Sequence, residues 1–588
     1  MQSDIHQILA SNVRAHLQNR LDAPRGAFDD TCTQVSYLRD THLVRSLDDK
    51  PRHMDSENAL SVKLLRQALK WSYKVRAESS EVQNEEAIIG FERRSRDAAD
   101  WRLPFSERSG WPESRLARVF LLAQQLARHA SASYSIGRPS HGPGTTFFRY
   151  STLLTKYAWL ERDVPGAVWR RFSEFFVPSP SSDRILPFEN FGRNICRVAL
   201  VPKDARGPRL VAPHMASAVW VQQAILDGIS NTVLTHPIFA GYWPEGGPVQ
   251  TVQLRDQSIN QKVAKYASEN PTMYATIDLK DASDLISWRL VCFLLKGTIL
   301  LKDLYAVRAT HCELPDKRVI PLGMHAPMGS AVCFPIMALC LWSLCTAAGW
   351  LVDHEYARYR PTSKSLWSEN KPFVFGDDII IPIRHYNAVK TTLEHAGLRL
   401  NANKTFYGLG GFRESCGHDY YRGHLITPTT LRRVDVSSLE GFVSMVSLHN
   451  RLAAEGQTIV SDTILELLLE KNQHHDCAAR LAFSSDLHTP AIHVDSVRTA
   501  CRLNRAIGNC VRYNVGLQRM EVLTRTLIRE EDVCGNQQLD SRARLYESLA
   551  SHHKRDVNLA SGVGDEATST SFGWSSNRPR ARNVWIAC

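Results

Sequence analysis

The stretch Lys371–Pro382, KPFVFGDDIIIP, predicts a β-hairpin that carries two adjacent carboxylates at its tip. An apolar run leads into Gly376-Asp377-Asp378, and a second apolar run leaves it. Successive side chains of an extended chain point in opposite directions, so one aspartate can face a cleft while the other lies nearby in the turn. Glycine permits the tight turn. Paired carboxylates suit hard cations such as Mg²⁺ or Mn²⁺, although D-D pairs also occur in ordinary hairpin turns.

A second strand end upstream carries another aspartate. Residues 274–278, YATID, form a β-prone run that ends at Asp278, and LKDASDLIS follows as a turn into a helix. Three acids from two separate elements can therefore converge: Asp278, Asp377 and Asp378. Two metal ions bridged by such carboxylates are the usual device for phosphoryl transfer in polymerases and nucleases.

Between the two acidic strand ends lies a glycine-rich loop, GMHAPMGS, at residues 323–330. The uncharged run that follows, 330–352, is long enough to span a bilayer. Its Pro, Ser, Thr and Gly residues and its polar surroundings favour a buried helix that begins near Ser330. The Ser330 hydroxyl can bond a ribose hydroxyl or merely cap that helix. In the turn after the first acidic strand, Asp284 is predicted to lie on the substrate side, and Asp281 to be solvated or to cap a helix.

A basic segment precedes both acidic strands. Residues 193–211 read RNICRVALVPKDARGPRLV, in which β-prone runs flank three cations within seven residues: Lys203, Arg206 and Arg209. Such an arm can hold a triphosphate, because arginine forks and a lysine point charge neutralise phosphate oxygens. The alternative is a solvated basic loop.

Length and composition set the outer limits. The 588 residues suggest three or four domain-sized units, and 43% hydrophobic residues suffice for a large core. Lys and Arg number 71 against 60 Asp and Glu, which gives a net charge of +11. This charge favours a nucleic acid as partner and, second, an anionic membrane surface. The alternative is a soluble protein that is merely basic. Thirteen cysteines without a C-x-x-C pair indicate reduced thiols and neither a zinc site nor a disulfide framework. The first residues, MQSDIHQILA, carry charge and do not form a signal peptide.

The order of these segments resembles motifs F, A, B and C of the viral RNA-directed RNA polymerases. The wording resembles most the replicase catalytic (beta) subunit of the single-stranded RNA bacteriophages, the levivirus group: VPKDARGPR, ATIDLKDASDLIS, VFGDDIIIP and NANKTFYGLGGFRESCGHDYYRGHLITP. The resemblance covers about residues 195–430. One departure is MHAPMGS, because the family pattern has a simpler glycine-rich motif at this place.

The resemblance implies an α+β fold, a right-hand polymerase of fingers, palm and thumb with mostly helical N- and C-terminal regions. The implied division is fingers with the basic nucleotide-binding arm (141–271), a catalytic palm (272–430) and a helical thumb (431–556). Apolar residues at helical spacing predict an N-terminal helical region associated with the fingers (1–140). The Ser, Thr and Gly content of residues 557–588 predicts a flexible tail.

The resemblance also implies roles for the acidic residues. Asp278 and Asp377 would hold two Mg²⁺ ions, for which Mn²⁺ can substitute, with Asp378 as a secondary ligand or support. One metal would lower the pKa of the 3′-hydroxyl, and the other would stabilise charge on the β- and γ-phosphates.

Further residues are implied to act on the nucleotide. The basic arm would contact the incoming triphosphate through Lys203, Arg206 and Arg209. Ribose selection would fall to Asp284 and Ser330. Lys404, in NANKT, is predicted either to protonate departing pyrophosphate or to be a structural lysine.

The implied function is an RNA-directed RNA polymerase that replicates a phage single-stranded RNA genome without a primer, in the cytoplasm of a bacterial host and without a membrane. Its partners would be the RNA template, nascent RNA, ribonucleoside triphosphates, host elongation factors Tu and Ts, and an RNA-binding ribosomal protein.

Three alternatives remain at this point. A reverse transcriptase shares the palm but is expected to carry a bulky aromatic residue soon after the first aspartate, where this chain has Leu279, Lys280 and Asp281. A non-enzymatic RNA-binding phage protein has no need of three carboxylates at strand ends. A metal-dependent nuclease would use a His- and Glu-rich ligand set, and would not need a triphosphate-binding arm.

Overall fold

Helices and strands are mixed along the chain, which confirms the predicted α+β class. The computed structural model describes residues 31–49, 56–71, 74, 79–105, 114–142, 144–148, 156, 164–176, 193–204, 207–242, 246–354, 371–431, 439–474, 483–484, 491–506, 511–528 and 580–587.

The α-helices of the described residues are α1 (Thr31–Asp49), α2 (Ser56–Lys70), α3 (Glu81–Asp100), α4 (Arg115–Ala130), α5 (Gly166–Phe172), α6 (Ala216–Thr235), α7 (Ser258–Glu269), α8 (Ala282–Leu285), α9 (Trp288–Leu294), α10 (Ile299–Val307), α11 (Cys333–Asp353), α12 (Tyr386–His395), α13 (Leu439–Ala454), α14 (Thr458–His474) and α15 (Val497–Ala506).

The strands are β1 (Ile195–Arg197), β2 (Ala199–Asp204), β3 (Gly207–Val211), β4 (Ala240–Tyr242), β5 (Pro248–Gln250), β6 (Tyr274–Ile277), β7 (Leu279–Lys280), β8 (His311–Glu313), β9 (Val319–Pro321), β10 (Phe373–Phe375), β11 (Asp378–Pro382), β12 (Arg399–Leu400), β13 (Phe412–Ser415), β14 (His418–Tyr421), β15 (His424–Leu425), β16 (Phe483–Ser484), β17 (Ile492–His493), β18 (Val511–Asn514), β19 (Arg519–Ile528) and β20 (Arg580–Ala587).

A three-stranded antiparallel sheet in the order β10-β11-β6 forms the centre of the fold. The hairpin predicted from KPFVFGDDIIIP is β10 and β11, and β11 pairs on its other side with the strand before Asp278. Ile379 lies opposite Ile277, so the chain positions just before and after them, Asp378 and Asp278, lie at the same end of the sheet. This register brings together acids that are about a hundred residues apart in the sequence.

Helix α11 packs against this sheet and carries the largest apolar core cluster of the described residues. Ile336, Leu341 and Trp342 are fully buried in it, together with side chains from α4, α6, α9 and α10. Among the described residues, α11 is the one helix long and apolar enough to cross a membrane, and 83% of its most apolar window is buried inside the protein. The burial agrees with a core helix, as its all-round apolar sequence predicted.

The helix begins at Cys333, three residues later than predicted, and Val332 is its N-cap. The capping alternative for Ser330 is therefore wrong. Pro335 is the third helical residue, where its missing amide proton leaves no helical hydrogen bond unmade.

Two glycines are required by close packing around the site. Gly376 in the acidic hairpin has a φ of +62°, and a Cβ at this position would collide with the ring of Phe334 from α11. Gly329 in the loop before α11 has a φ of +123°, and a Cβ there would collide with the carbonyl of Ala212, which follows the basic hairpin. Larger side chains are strained at both positions.

The C-terminal region differs from the predicted helical thumb and flexible tail. Helices α13 and α14 form as expected, but residues 511–528 form strands β18 and β19. Residues 580–587, predicted as part of a flexible tail, form β20 and pair with β19 over eight residues. The prediction of a flexible tail rested on the Ser, Thr and Gly content of the preceding residues and is wrong for this strand. Residues 583–587, NVWIA, are rich in β-formers and gain a partner strand.

Candidate active site

The three predicted acids meet at one end of the central sheet. Asp278 follows β6, Asp377 forms the hairpin turn, and Asp378 begins β11. All three side chains are partly exposed, and the negative charge of Asp377 acts on both of the other carboxyl groups. The sheet therefore presents a cluster of carboxylates that remains accessible from solvent.

Burial and mutual repulsion raise the pKa values of this cluster. Burial raises the pKa of Asp278 to about 6, and the charge of Asp377 adds to the effect while Lys404 opposes it. Burial, followed by the charges of Asp377 and Asp278, raises the pKa of Asp378 to about 7. Burial also raises the pKa of Asp377, against the charges of Lys404 and Arg209. Carboxylates that destabilise one another in this way are a natural site for a cation.

The sequence did not indicate the residues that hold these acids. Asn401 donates its side-chain amide to Asp278 Oδ2 at 2.7 Å, and its backbone N–H bonds the Asp278 carbonyl at 2.9 Å. Asn260 donates from α7 to the Asp378 carbonyl at 3.2 Å. The backbone of Cys416 opposes the rise in the pKa of the Asp378 carboxyl. The sequence signal that could have indicated Asn401 was the polar, turn-forming motif NANKT between two apolar segments.

Lys404 lies within electrostatic reach of all three aspartates. Its Nζ donates to Glu414 Oε1 at 3.0 Å. Glu414, followed in effect by Asp278, raises the pKa of Lys404 well above its usual value, so the amine stays protonated at neutral pH. A protonated lysine beside the acids is compatible with both predicted roles, and its part as a proton donor stays a prediction.

The basic arm forms the hairpin of β2 and β3, with Val201 opposite Arg209. Lys203 and Arg209 are both exposed, and the positive charge of Arg209 lowers the pKa of Asp377. Arg209 is therefore close enough to the acidic cluster to act on a phosphate bound there. Arg206 lies outside the described residues. The nucleotide contacts of all three cations stay predictions.

Asp284 is buried and paired with a residue that the sequence did not indicate. Arg94, from α3, donates Nε to Asp284 Oδ2 at 2.9 Å and lies 3.9 Å from Asp281. Burial raises the pKa of Asp284, and Arg94 opposes the shift. The Asp281 side chain is half exposed at the N-cap position of α8 and makes no capping hydrogen bond, so it is solvated as predicted.

Ser330 is buried in the loop before α11, and its hydroxyl has no hydrogen-bond partner among the described residues. Buried hydroxyls are normally satisfied, so the Ser330 oxygen is available to a ligand hydroxyl. Among the contacts that hold this loop, Ala212 N–H bonds the Met328 carbonyl at 2.6 Å, and Arg308 donates to the carbonyls of Met324 and His325. The loop is thereby joined to the basic hairpin.

The acidic cluster fits a divalent cation by donor type, because hard cations take carboxylate oxygens. Within the described part of the chain, no three His, Cys, Asp or Glu side chains approach closely enough to form a complete ligand set. The fit therefore rests on the partly exposed, mutually repelling carboxylates and not on a finished coordination shell.

We expect divalent cations to stabilise the protein more at about pH 8 than at about pH 5. The pKa values of Asp278 and Asp378 are raised in the folded state, to about 6 and 7, so these groups stabilise the fold less as the pH rises from about 4 through those values. A cation competes with the same protons. Thermal unfolding with and without Mn²⁺ at both pH values checks this, and an equal shift in Tm would contradict it. The double variant Asp278→Asn, Asp378→Asn should lose the difference.

Comparison with known proteins finds a family match in the centre of the chain. Residues 249–462 match the family model described as RNA replicase, beta-chain. The chain is 34% identical over 205 residues to the RNA-directed RNA polymerase subunit beta of Qbeta virus (strain MX1), covering 35% of this chain and 32% of the relative. It is 31% identical over 208 residues to the RNA-directed RNA polymerase beta chain of Escherichia phage MS2, covering 35% and 34%. The resemblance predicted from the motifs is confirmed for this segment.

The matched part spans about a third of the length of these relatives. It includes the acidic cluster, Asp284, Ser330 and Lys404, whereas the basic hairpin lies upstream of it. Among solved structures, the chain is similar to the RNA-dependent RNA polymerase of a human picobirnavirus, with 10% identity, a TM-score of 0.39, and coverage of 78% of this chain and 86% of the other. The BmCPV RNA-dependent RNA polymerase aligns with 11% identity, a TM-score of 0.38, and coverage of 69% and 36%.

Proposed function

We propose that this chain is an RNA-directed RNA polymerase, the catalytic subunit of a replicase that copies a phage single-stranded RNA genome. The observation that carries the proposal is the meeting of Asp278, Asp377 and Asp378 at one sheet end, inside the segment that matches the replicase family. The position of Arg209 near this cluster supports a phosphate-bearing substrate.

Asp278 and Asp377 would hold two Mg²⁺ ions, with Asp378 in support and Mn²⁺ able to substitute. The bound ions supply activation of a 3′-hydroxyl and charge neutralisation on the phosphates. The role of the protein is to aim the acids: Asn401 fixes the Asp278 carboxylate, and Asn260 holds the backbone carbonyl of Asp378.

The other side chains act on the nucleotide. Lys203 and Arg209 would bind the triphosphate, with Arg206 beside them in sequence. Ser330 offers its unpartnered hydroxyl to a ribose. Asp284, which is paired with Arg94, lies six residues after Asp278 in the chain. Lys404 would hold its proton for the leaving pyrophosphate.

The family resemblance extends the proposal to the partner subunits, the mode of initiation and the cellular location. The curated relatives are named as beta subunits, which supports a multisubunit replicase. We propose that this chain works in the cytoplasm of a bacterial host, starts without a primer, and assembles with elongation factors Tu and Ts and an RNA-binding ribosomal protein. Affinity purification from expressing bacteria, followed by mass spectrometry, tests the assembly, and recovery of the chain alone would contradict it. The fingers, palm and thumb division stays part of this proposal.

A reverse transcriptase is the second candidate, because it shares paired aspartates on a similar sheet. Incorporation of labelled ribonucleotides and deoxyribonucleotides on the same RNA template distinguishes the two. We expect ribonucleotides to be strongly preferred. A preference for deoxyribonucleotides would establish the alternative, and RNA binding without incorporation of either would indicate a non-enzymatic binding protein.

Removal of the two described cations of the basic arm should impair nucleotide use. In the variants Lys203→Ala and Arg209→Ala, we expect a higher apparent KM for nucleotides and a kcat lower by about tenfold or more, because these charges act on a triphosphate whose charge grows in the transition state. Steady-state kinetics with varied nucleotide concentration measures both. Lys265→Ala, at an exposed lysine of α7, is the matched control. A change in template affinity alone would assign the arm to the RNA path.

A further inference from the structure

The N-terminal helices α1 and α2 lie almost 180 residues upstream of the family match, yet they pack against residues 405–429 within it. Four apolar side chains of this helical pair form one buried cluster with four from the segment after the acidic hairpin: Val44, Leu47, Ala59 and Val62 with Phe406, Phe412, Tyr421 and Ile426. The segment that follows the acidic hairpin therefore packs directly on the N-terminal helices.

Asp48, near the end of α1, is the polar centre of this contact. Its buried carboxylate accepts the backbone N–H groups of Tyr407 at 3.3 Å and Gly408 at 3.0 Å, and Nη1 of Arg413 at 2.9 Å. Its carbonyl accepts the N–H of Gly410 at 2.6 Å. A Cβ at Gly408 or Gly410 would collide with the α1 backbone, so the two segments touch directly.

Arg413 extends the contact to the catalytic sheet. Its fully buried guanidinium donates Nε to the carbonyl of Tyr274, the first residue of β6, at 2.9 Å. It also donates to the carbonyls of Pro271 at 2.8 Å and Gly408 at 3.1 Å. One side chain thus ties α1, the 407–410 turn and the strand that carries Asp278.

The second helix holds the same segment farther along. Arg66 is buried and donates to Asp40 at 2.9 Å and to Asp419 of β14 at 2.8 Å. Gln67 and Thr429 exchange two hydrogen bonds, at 2.6 and 2.7 Å. These contacts fix the second half of the segment 405–429 on the helical pair, as Asp48 fixes the first.

The segment held in this way carries the residues that approach the aspartates. Asn401 bonds Asp278, Lys404 lies beside the cluster, and Phe406 pairs with Thr276 of β6 through two backbone hydrogen bonds. Arg45, from α1, donates to the Thr405 carbonyl at 3.1 Å, directly after Lys404. A shift of the 407–410 turn would therefore move Lys404 relative to the acids.

We propose that Asp48 is a positioning residue for the nucleotidyl transfer step, and that the helical pair α1–α2 is a working part of the catalytic unit. This inference rests on the proposed function. Asp48 acts through the 407–410 turn and Arg413, which set the distance of Lys404 from the acidic cluster. It touches neither substrate nor metal.

The test uses Asp48→Asn in the full chain. Asparagine keeps an oxygen for the Tyr407 and Gly408 N–H groups, and Arg413 keeps its carbonyl partners, so the change removes the charge at little cost in shape. We expect kcat for single-nucleotide addition to fall about 10- to 100-fold, because small misplacements of a positioned group have effects of this size. The nucleotide KM and RNA affinity should change less than about twofold. Asp97→Asn, at an exposed ion pair with Arg399, is the matched control.

A double-mutant cycle separates positioning from stability. In a Lys404→Ala background, Asp48→Asn should have almost no further effect on kcat, because the two changes act on the same group. Equal losses in both backgrounds would mean a smaller folded fraction and would overturn the inference. If Asp48→Asn does not fold, Arg45→Met removes the hydrogen bond to Thr405 from a partly exposed residue and must show the same coupling. An inactive wild-type chain would overturn the proposed function and this inference together, whereas an active wild type with an unchanged Asp48→Asn would overturn this inference alone.

Discussion

Asp377→Asn should abolish nucleotide addition and leave RNA binding nearly intact. The carboxylate lies in the turn between β10 and β11, and its charge acts on both neighbouring acids. An amide there removes the negative charge and one of the two oxygen donors, which weakens cation binding. We expect a loss of at least about 1,000-fold in kcat, equivalent to about 4 kcal/mol of transition-state stabilisation. Single-turnover incorporation and filter binding of labelled RNA measure the two properties.

The matched control is Asp316→Asn, at an exposed acid in the turn between β8 and β9. It should retain the wild-type rate. Near-normal turnover of purified Asp377→Asn would contradict the assignment of the acidic cluster as the catalytic centre.

Leu339→Asp should prevent folding of the whole chain. Leu339 is 4% exposed in the middle of α11, within the core that supports the acidic hairpin. The change buries an unpaired carboxylate and removes a packed apolar side chain. We expect a cost of about 5 kcal/mol or more, comparable to the total stability of a typical domain. Soluble yield and thermal unfolding measure it.

Leu339→Met is the control, because a volume-conserving apolar change usually costs less than about 1.5 kcal/mol. A folded, active Leu339→Asp would show that α11 is not a core helix. Recovery of the wild-type protein only from detergent-extracted membranes would likewise contradict the buried position of this helix.

Much of the central sheet could be predicted from local sequence. The alternation of apolar runs with GDD predicts a hairpin, because glycine permits the tight turn and β-branched flanks favour extended structure. The strand before Asp278 has the same local signature. Convergence of their acids was predicted, whereas the pairing of β6 with β11 and the register of Ile379 with Ile277 come from the structure.

Other parts had no local signal. The contact between Asp48 and Arg413 joins residues 365 positions apart, and neither lies in a word whose composition indicates the other. Arg94, the partner of Asp284, comes from a helix whose sequence reads as a solvated, charged face. The residues of β20 include β-formers, but the sequence does not indicate that β19 is the strand with which they pair.

The most direct test of the account is the sequence of the product that the protein makes. The chain, purified with its copurifying proteins, is supplied with a single-stranded RNA of defined sequence, four ribonucleotides and Mg²⁺, and the new strand is sequenced. The account predicts RNA complementary to the template, made by the wild type and Asp316→Asn and absent with Asp377→Asn. Degradation of the template, a DNA product, an untemplated RNA or no product at all would contradict it.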